Sequence, residues 1–170
     1  SHFESRERKA TKLVVSHAFH SLHMDSMLDA FRAVTESCTF NPPEIPVVSN
    51  VTGQLASAEE LMSPEYWVKH VRSAVRFVDG MQTLHDAGVD VYVECGPRGV
   101  LSAMGAGCLP DDAAATFIPS LRKGRDEAAT VSKALGHLHV LGYAVGWSHL
   151  LEKTGALCAA LPTYAFQRER

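Results

Sequence analysis

Three histidines stand close together near the start of the chain: His17, His20 and His23. An imidazole can bind a metal ion, or it can accept and return a proton near neutral pH. The spacing therefore allows three hypotheses: a metal site, a structural role in a core or helix cap, or a general base. The metal hypothesis is disfavoured, because metal-binding helices typically pair histidines at i and i+4 with a carboxylate. Spacing does not decide between the other two.

The elements predicted around the histidines are a strand and a helix. The β-branched stretch K-L-V-V-S at 12–16 predicts a strand. An apolar stripe at helical spacing then predicts a core-packed helix over 24–37. Reactive side chains in α/β sheets are usually presented at strand ends, which is where this arrangement places the histidines. The apolar stripe consists of Met24, Met27, Leu28, Phe31 and Val34.

Further strands and helices alternate along the chain. After three prolines, residues 45–51 predict a short buried strand. A helix is predicted to begin at Ser63-Pro64-Glu65, to break near Ser73 and to stop at Gly88. Strands are predicted at 89–94 and 115–121, with a helix at 100–108 between them. This order predicts an α/β structure with a largely parallel sheet.

The amino-acid composition excludes several classes of function. The 170 residues are 46% hydrophobic and 21% charged, with a net charge of -3, so the chain can form a core and shows no basic region for nucleic acid. No apolar run approaches the ~20 residues that span a bilayer, and no signal peptide opens the sequence, which predicts no membrane partner. Four well-separated cysteines favour reduced thiols and a cytoplasmic location.

Five segments of the sequence resemble the acyltransferase domain of type I modular polyketide synthases, which are multifunctional enzymes of antibiotic biosynthesis. They occur in the same order as in that family, and each matches one of its motifs. The segments are H-A-F-H at 17–20, I-P-V-V-S-N-V-T-G at 45–53, P-E-Y-W-V-K-H-V-R at 64–72, V-E-C-G-P-R-G-V-L at 93–101 and L-P-T-Y-A-F-Q-R-E-R at 161–170.

The resemblance implies a fold and a division of the chain. Residues 1–16 are expected to end a ferredoxin-like insertion, and 17–121 to form the C-terminal part of an α/β-hydrolase-like acyltransferase subdomain. That subdomain would be a largely parallel sheet with flanking helices. The composition shifts at R-K-G-R over 122–125, and 122–170 is expected to be a post-acyltransferase linker. A non-catalytic interdomain element, based on that linker, is the alternative function.

The resemblance also implies a reaction. In the family, a serine in a G-H-S-x-G elbow accepts malonyl from malonyl-CoA and passes it to the phosphopantetheine thiol of an acyl carrier protein. His20 matches the catalytic histidine, which would serve that serine as base. No G-x-S-x-G occurs in this sequence. The expected partners are therefore the missing N-terminal part of the acyltransferase, the acyl carrier protein and the ketosynthase. No bound cofactor is expected.

Four other residues receive roles from the resemblance. The backbone carbonyl of His70 is expected to orient His20, with the His70 side chain incidental. His17 and Phe19 are expected to set substrate specificity, because H-A-F-H accompanies malonyl units and Y-A-S-H accompanies methylmalonyl units in the family. Phe19 could instead be ordinary core packing. Asn50 is expected either to support the active site or only to serve the turn before Gly53.

Overall fold

A computed structural model describes Arg6, residues 17–152, Gly155 and residues 159–165. The predicted strand at 12–16 and the insertion assigned to 1–16 lie outside the described residues, with Arg6 the one exception, and so do the last five residues of the tail motif. The chain divides into two units. The first comprises Ser1–Tyr92 and Val100–Phe117, and the second comprises Val93–Gly99 and Ile118–Arg170.

The described elements are seven α-helices, one 3-10 helix and two short strands. In chain order they are a 3-10 helix Leu22–Met27, α1 Leu28–Glu36, α2 Ala58–Met62, α3 Pro64–Arg72, α4 Phe77–Asp86, β1 Val91–Glu94, α5 Val100–Ala106, β2 Thr116–Pro119, α6 Glu127–Val140 and α7 Trp147–Leu151. No helix in the described part of the chain is long and apolar enough to cross a membrane.

The strands β1 and β2 form a two-stranded sheet. In the first unit, Thr116 N donates to Asp90 O over 2.7 Å, and in the second, Ser120 N donates to Glu94 O over 2.9 Å. Donor and acceptor numbers rise together, which is the register of parallel strands. The predicted α/β class with parallel pairing is confirmed, as are the predicted helix and strands around the 95–99 turn.

The strand predicted at 45–51 is wrong. Val48 makes only an isolated antiparallel bridge with Leu55. Pro46 has no N–H to donate to a ladder. The chain then reverses at once, because Gly53 N donates to Ser49 O over 2.7 Å and Ser49 N donates to Gln54 O over 2.8 Å. Residues 49–54 are therefore a turn, which we call the 49–54 turn.

The helix predicted over 24–37 is partly wrong. Residues Leu22–Met27 form a 3-10 helix, and α1 begins only at Leu28. Within α1, at about 100° per residue, Thr35 lies about 20° from Leu28 around the helix axis, whereas Val34 lies about 120° away. Val34, expected in the core, is exposed, and Thr35 is buried in its place. The Thr35 hydroxyl donates to Arg32 O over 2.9 Å, which satisfies it.

The predicted break at Ser73 and stop at Gly88 are confirmed. Ser73 caps the C-terminus of α3, and Gly88 has φ +82 just after α4. Pro64 occupies the first turn of α3, where its missing N–H costs nothing.

A small core ties α3 to the 49–54 turn. Val51, Leu61 and Tyr66 form a buried cluster, and Trp67 packs against it. Ser49 is only 1% exposed, and its hydroxyl lies 3.0 Å from the Tyr66 hydroxyl. Trp67 Nε1 donates to Leu61 O over 3.0 Å. These contacts fix the position of α3, whose C-terminal end forms one side of the candidate site.

Candidate active site

The backbone at His20 has an unusual conformation. His20 has φ +61, and no other residue among those described, apart from glycines, has a positive φ. This left-handed region costs most side chains about 1 kcal/mol or more, and such residues cluster at functional sites. The His20 N–H donates to Val71 O over 3.0 Å, which holds the strained main chain against the end of α3.

The His20 ring is held by two main-chain carbonyls. Its Nδ1 lies 2.8 Å from Ser73 O and 3.1 Å from His70 O. A carbonyl oxygen can only accept, so Nδ1 must carry the proton and donate to both. The other ring nitrogen, Nε2, is then an acceptor. This is the tautomer that a general base needs.

The end of α3 supplies these acceptors for a simple reason. The last four carbonyls of an α-helix have no N–H partner within the helix. The α3 helix ends at Arg72, and Ser73 is extended, with ψ 151. The carbonyls of His70 and Ser73 therefore remain available to the imidazole.

The His70 side chain packs beside the His20 ring. Their ring centroids are 5.7 Å apart, and the His70 ring stacks on Tyr66 at 6.0 Å. Its Nε2 is buried and has no hydrogen-bond partner in the described part of the chain. Burial lowers the pKa of His70, and the nearby His20 lowers it further. The His70 side chain thus packs against both the His20 and Tyr66 rings, and its expected incidental role stays a prediction.

His17 and Phe19 lie beside His20 in sequence and pack against each other. Their ring centroids are 6.1 Å apart in a T-shaped arrangement, and Phe19 is 53% exposed. Phe19 is therefore not a core residue in this structure. Within the described ranges, no three His, Cys, Asp or Glu side chains are grouped to hold a metal ion.

Asn50 lies in the 49–54 turn and is exposed. Its backbone carbonyl accepts from Arg76 N over 2.9 Å, at the N-cap of α4. The structure thus shows a structural use for this position.

Sequence reasoning missed the other polar groups at the end of α3. The carbonyls of Val71 and Ser73 carry no signature in a side-chain motif. Arg72 forms an ion pair with Asp25, 47 positions earlier, and this pair was also not foreseen. The one available signal was the predicted helix end near Ser73, because a helix end leaves carbonyls without partners.

The structure has parallel strands with flanking helices. It also has a histidine whose Nδ1 donates to main-chain carbonyls, which leaves Nε2 as an acceptor. Together these features define the class: an α/β protein with a candidate general-base site. The chain belongs to the acyl transferase domain family, whose sequence profile matches residues 1–145. Its relatives are polyketide synthases. One of them, polyketide synthase GfsA of Streptomyces halstedii, is 49% identical over 167 residues, which are 97% of this chain and 2% of that protein.

Solved acyltransferase domains have the same fold. The domain from the second module of the salinomycin polyketide synthase is 44% identical, with a TM-score of 0.81 over 97% of this chain and 38% of that one. The acyl transferase domain of SpnD, solved in complex with 2-(pent-4-yn-1-yl)malonyl, is 30% identical, with a TM-score of 0.77 over 83% of this chain and 35% of that one. The chain spans about two fifths or less of either domain structure.

Proposed function

We propose that this chain supplies the general base of a polyketide synthase acyltransferase that transfers malonyl from malonyl-CoA to the phosphopantetheine thiol of an acyl carrier protein. The observation that carries the proposal is the His20 ring, with Nδ1 donating to two backbone carbonyls and Nε2 left as the acceptor. The complex of the SpnD domain with a substituted malonyl group supports a malonyl-type substrate for the family.

In the first half-reaction, His20 Nε2 accepts the proton of a serine hydroxyl supplied by another segment of the domain. The serine oxygen attacks the malonyl thioester, and the imidazolium returns the proton to the departing CoA sulfur. The His70 and Ser73 carbonyls keep the ring oriented throughout, as a triad carboxylate does elsewhere. The products are malonyl-serine and free CoA.

In the second half-reaction, His20 Nε2 accepts the proton of the carrier-protein thiol. The thiolate attacks malonyl-serine, and the imidazolium protonates the serine oxygen as it leaves. One histidine thus acts as base and acid in turn, and both half-reactions leave it unchanged. The acyl group travels on CoA, serine and phosphopantetheine, so this scheme needs no further bound cofactor.

The partners follow from this scheme. They are the serine-bearing N-terminal part of the acyltransferase, the acyl carrier protein and the ketosynthase that consumes the loaded unit. The boundaries at 16 and 121, the post-acyltransferase linker, the role of Asn50 and a cytoplasmic location remain predictions. The alternative function, an interdomain element, is confined to 122–170, where Val140, Leu141 and Tyr143 are exposed apolar residues.

The proposal is tested by separating the base from the nucleophile. The 170-residue chain alone is expected to transfer no malonyl to holo acyl carrier protein above the buffer rate, because its sequence contains no G-x-S-x-G elbow. Fused to the elbow-bearing segment of a related domain, the same chain is expected to give transfer, read by intact mass of the carrier protein. Turnover by the isolated chain, or none by a folded fusion, would contradict the proposal.

We further propose that His17 and Phe19 bias the enzyme toward malonyl. Phe19 is exposed next to the base, where its ring would crowd an α-methyl branch. Replacing H-A-F with Y-A-S at 17–19 in the complete domain is expected to raise the methylmalonyl-to-malonyl ratio of kcat/KM by up to about 200-fold, the range open to one methyl group. Leu22→Ala, an exposed change outside the motif, is the control. An unchanged ratio removes both residues from the specificity argument.

A further inference from the structure

The ion pair between Asp25 and Arg72 flanks the candidate base. Arg72 Nε donates to Asp25 Oδ1. Arg72 is the last residue of α3 and lies between His70 and Ser73, the two residues whose carbonyls hold the imidazole. Asp25 lies in the 3-10 helix that directly follows the His20 loop. The pair therefore joins the segment that carries the base to the helix end that carries its acceptors.

The other contacts that hold His20 reach the same helix end but do not involve the 3-10 helix. The three hydrogen bonds of His20 all end on residues 70–73, and the two made by its ring are exposed. Met24 is buried and holds the 3-10 helix on the core, but apolar burial has no directional preference. A guanidinium–carboxylate contact is directional, so it can fix how the 3-10 helix sits along α3.

We propose that Asp25 and Arg72 are positioning residues that keep the end of α3 in register with His20. The inference rests on the proposed function and deepens it, because it names what holds the base in place. Both side chains are partly exposed, and exposed pairs contribute little to net stability. The consequence of removing the pair should therefore fall on the geometry of the imidazole and not on folding.

The chain contains a matched control. Arg32 Nη1 lies 2.8 Å from Glu65 Oε2, in a second ion pair of similar exposure. It joins α1 to α3, as part of the same packing, but at the opposite end of that helix. Seven residues separate Glu65 from Arg72, which is roughly 10 Å along a helix. Removing this pair eliminates the same kind of guanidinium–carboxylate contact but leaves the residues around His20 unchanged.

The test compares Asp25→Asn with Glu65→Gln in the complete acyltransferase domain. Asp25→Asn is expected to lower kcat for malonyl transfer by about 10- to 100-fold with little change in KM, because a misplacement near 1 Å at a catalytic group has effects of that size. Glu65→Gln is expected to stay within about twofold. Asp25→Glu, which keeps the carboxylate, should recover most of the rate. Arg72→Gln, which removes the pair from its other side, should reproduce the loss.

A second readout does not depend on activity. In the 170-residue chain labelled with ¹⁵N-histidine, the ring nitrogen shifts of His20 report which nitrogen carries the proton. Asp25→Asn should shift His20 from the single Nδ1–H tautomer toward a mixture, and Glu65→Gln should not. If the unaltered domain transfers no malonyl but this difference appears, the proposed function fails and the positioning role stands. Equal effects of the two variants, or none from Asp25→Asn, overturn the positioning role.

Discussion

Replacing His20 with asparagine in the complete acyltransferase domain is expected to lower kcat for malonyl transfer by about 10²- to 10⁴-fold. That is the usual contribution of a positioned general base. Asparagine suits this test because it tolerates a positive φ better than most residues, and its amide can still donate to the His70 and Ser73 carbonyls. The fold around position 20 should therefore persist while the proton acceptor is lost.

The kinetic pattern matters as much as the size of the loss. If His20 acts only in the chemical steps, kcat and kcat/KM should fall together. His23→Asn is the matched control, because His23 is an exposed imidazole three positions away. We expect that control to remain within about twofold of the unaltered domain. A loss under tenfold at position 20, or the same loss at position 23, would remove His20 from the mechanism.

The largest stability effect is expected from Gly53→Ala. Gly53 has φ +71, and an alanine Cβ there would overlap Asp79 Cβ. The backbone conformation alone costs about 1–2 kcal/mol, and overpacking of this kind about 1–3 kcal/mol. We therefore expect the free energy of unfolding of the chain to fall by about 2–5 kcal/mol, measured by urea denaturation. The contact is hard to relieve, because Asp79 lies in the first turn of α4 and bonds Arg76.

Two other glycines allow the conformational cost and the overpacking cost of Gly53→Ala to be measured separately. Gly88 has φ +82 but open space where an alanine Cβ would stand, so Gly88→Ala should cost only the conformational part, about 1–2 kcal/mol. Gly136 lies inside α6 with nothing near a Cβ, so Gly136→Ala should stabilise the chain by about 0.5–1 kcal/mol. Equal effects at 53 and 88 would show that the contact with Asp79 relaxes at no cost.

Gly53 also bears on the site. The 49–54 turn bonds Tyr66 through Ser49, and Tyr66 stacks on the His70 ring. Both contacts lie on α3, whose final carbonyls hold the imidazole. A variant that displaces this turn is therefore expected to disturb His20 as well as stability.

Local signals predicted much of this fold. The break at Ser73 and the stop at Gly88 follow from capping and glycine chemistry, which act within a few residues. The prediction of a strand at 45–51 was wrong because β-branched residues do not indicate whether a partner strand is present. The turn at Gly53 reverses the chain, so Val48 pairs only with Leu55. The predicted helix start at Met24 failed because sequence spacing does not distinguish a 3-10 turn from an α-turn.

The site was harder to predict from the residues than the fold. Spacing brought attention to His20 but left its role open, and the resemblance supplied the role. The decisive contacts join positions 50 or more residues apart and end on backbone carbonyls, which every residue type possesses. The Asp25–Arg72 pair is a long-range contact between two common charged residues. Neither leaves a recognisable pattern in a single sequence.

The use of main-chain carbonyls at the end of α3 has a consequence for engineering. A carboxylate that orients a histidine can be deleted by one point mutation, but a carbonyl survives any exchange of its own side chain. The orienting geometry is instead encoded in helix length. Inserting or deleting one residue within α3 would turn its terminal carbonyls by about 100°. In chimeric domains joined inside 64–72, keeping the number of residues in α3 should therefore matter more than keeping their identities.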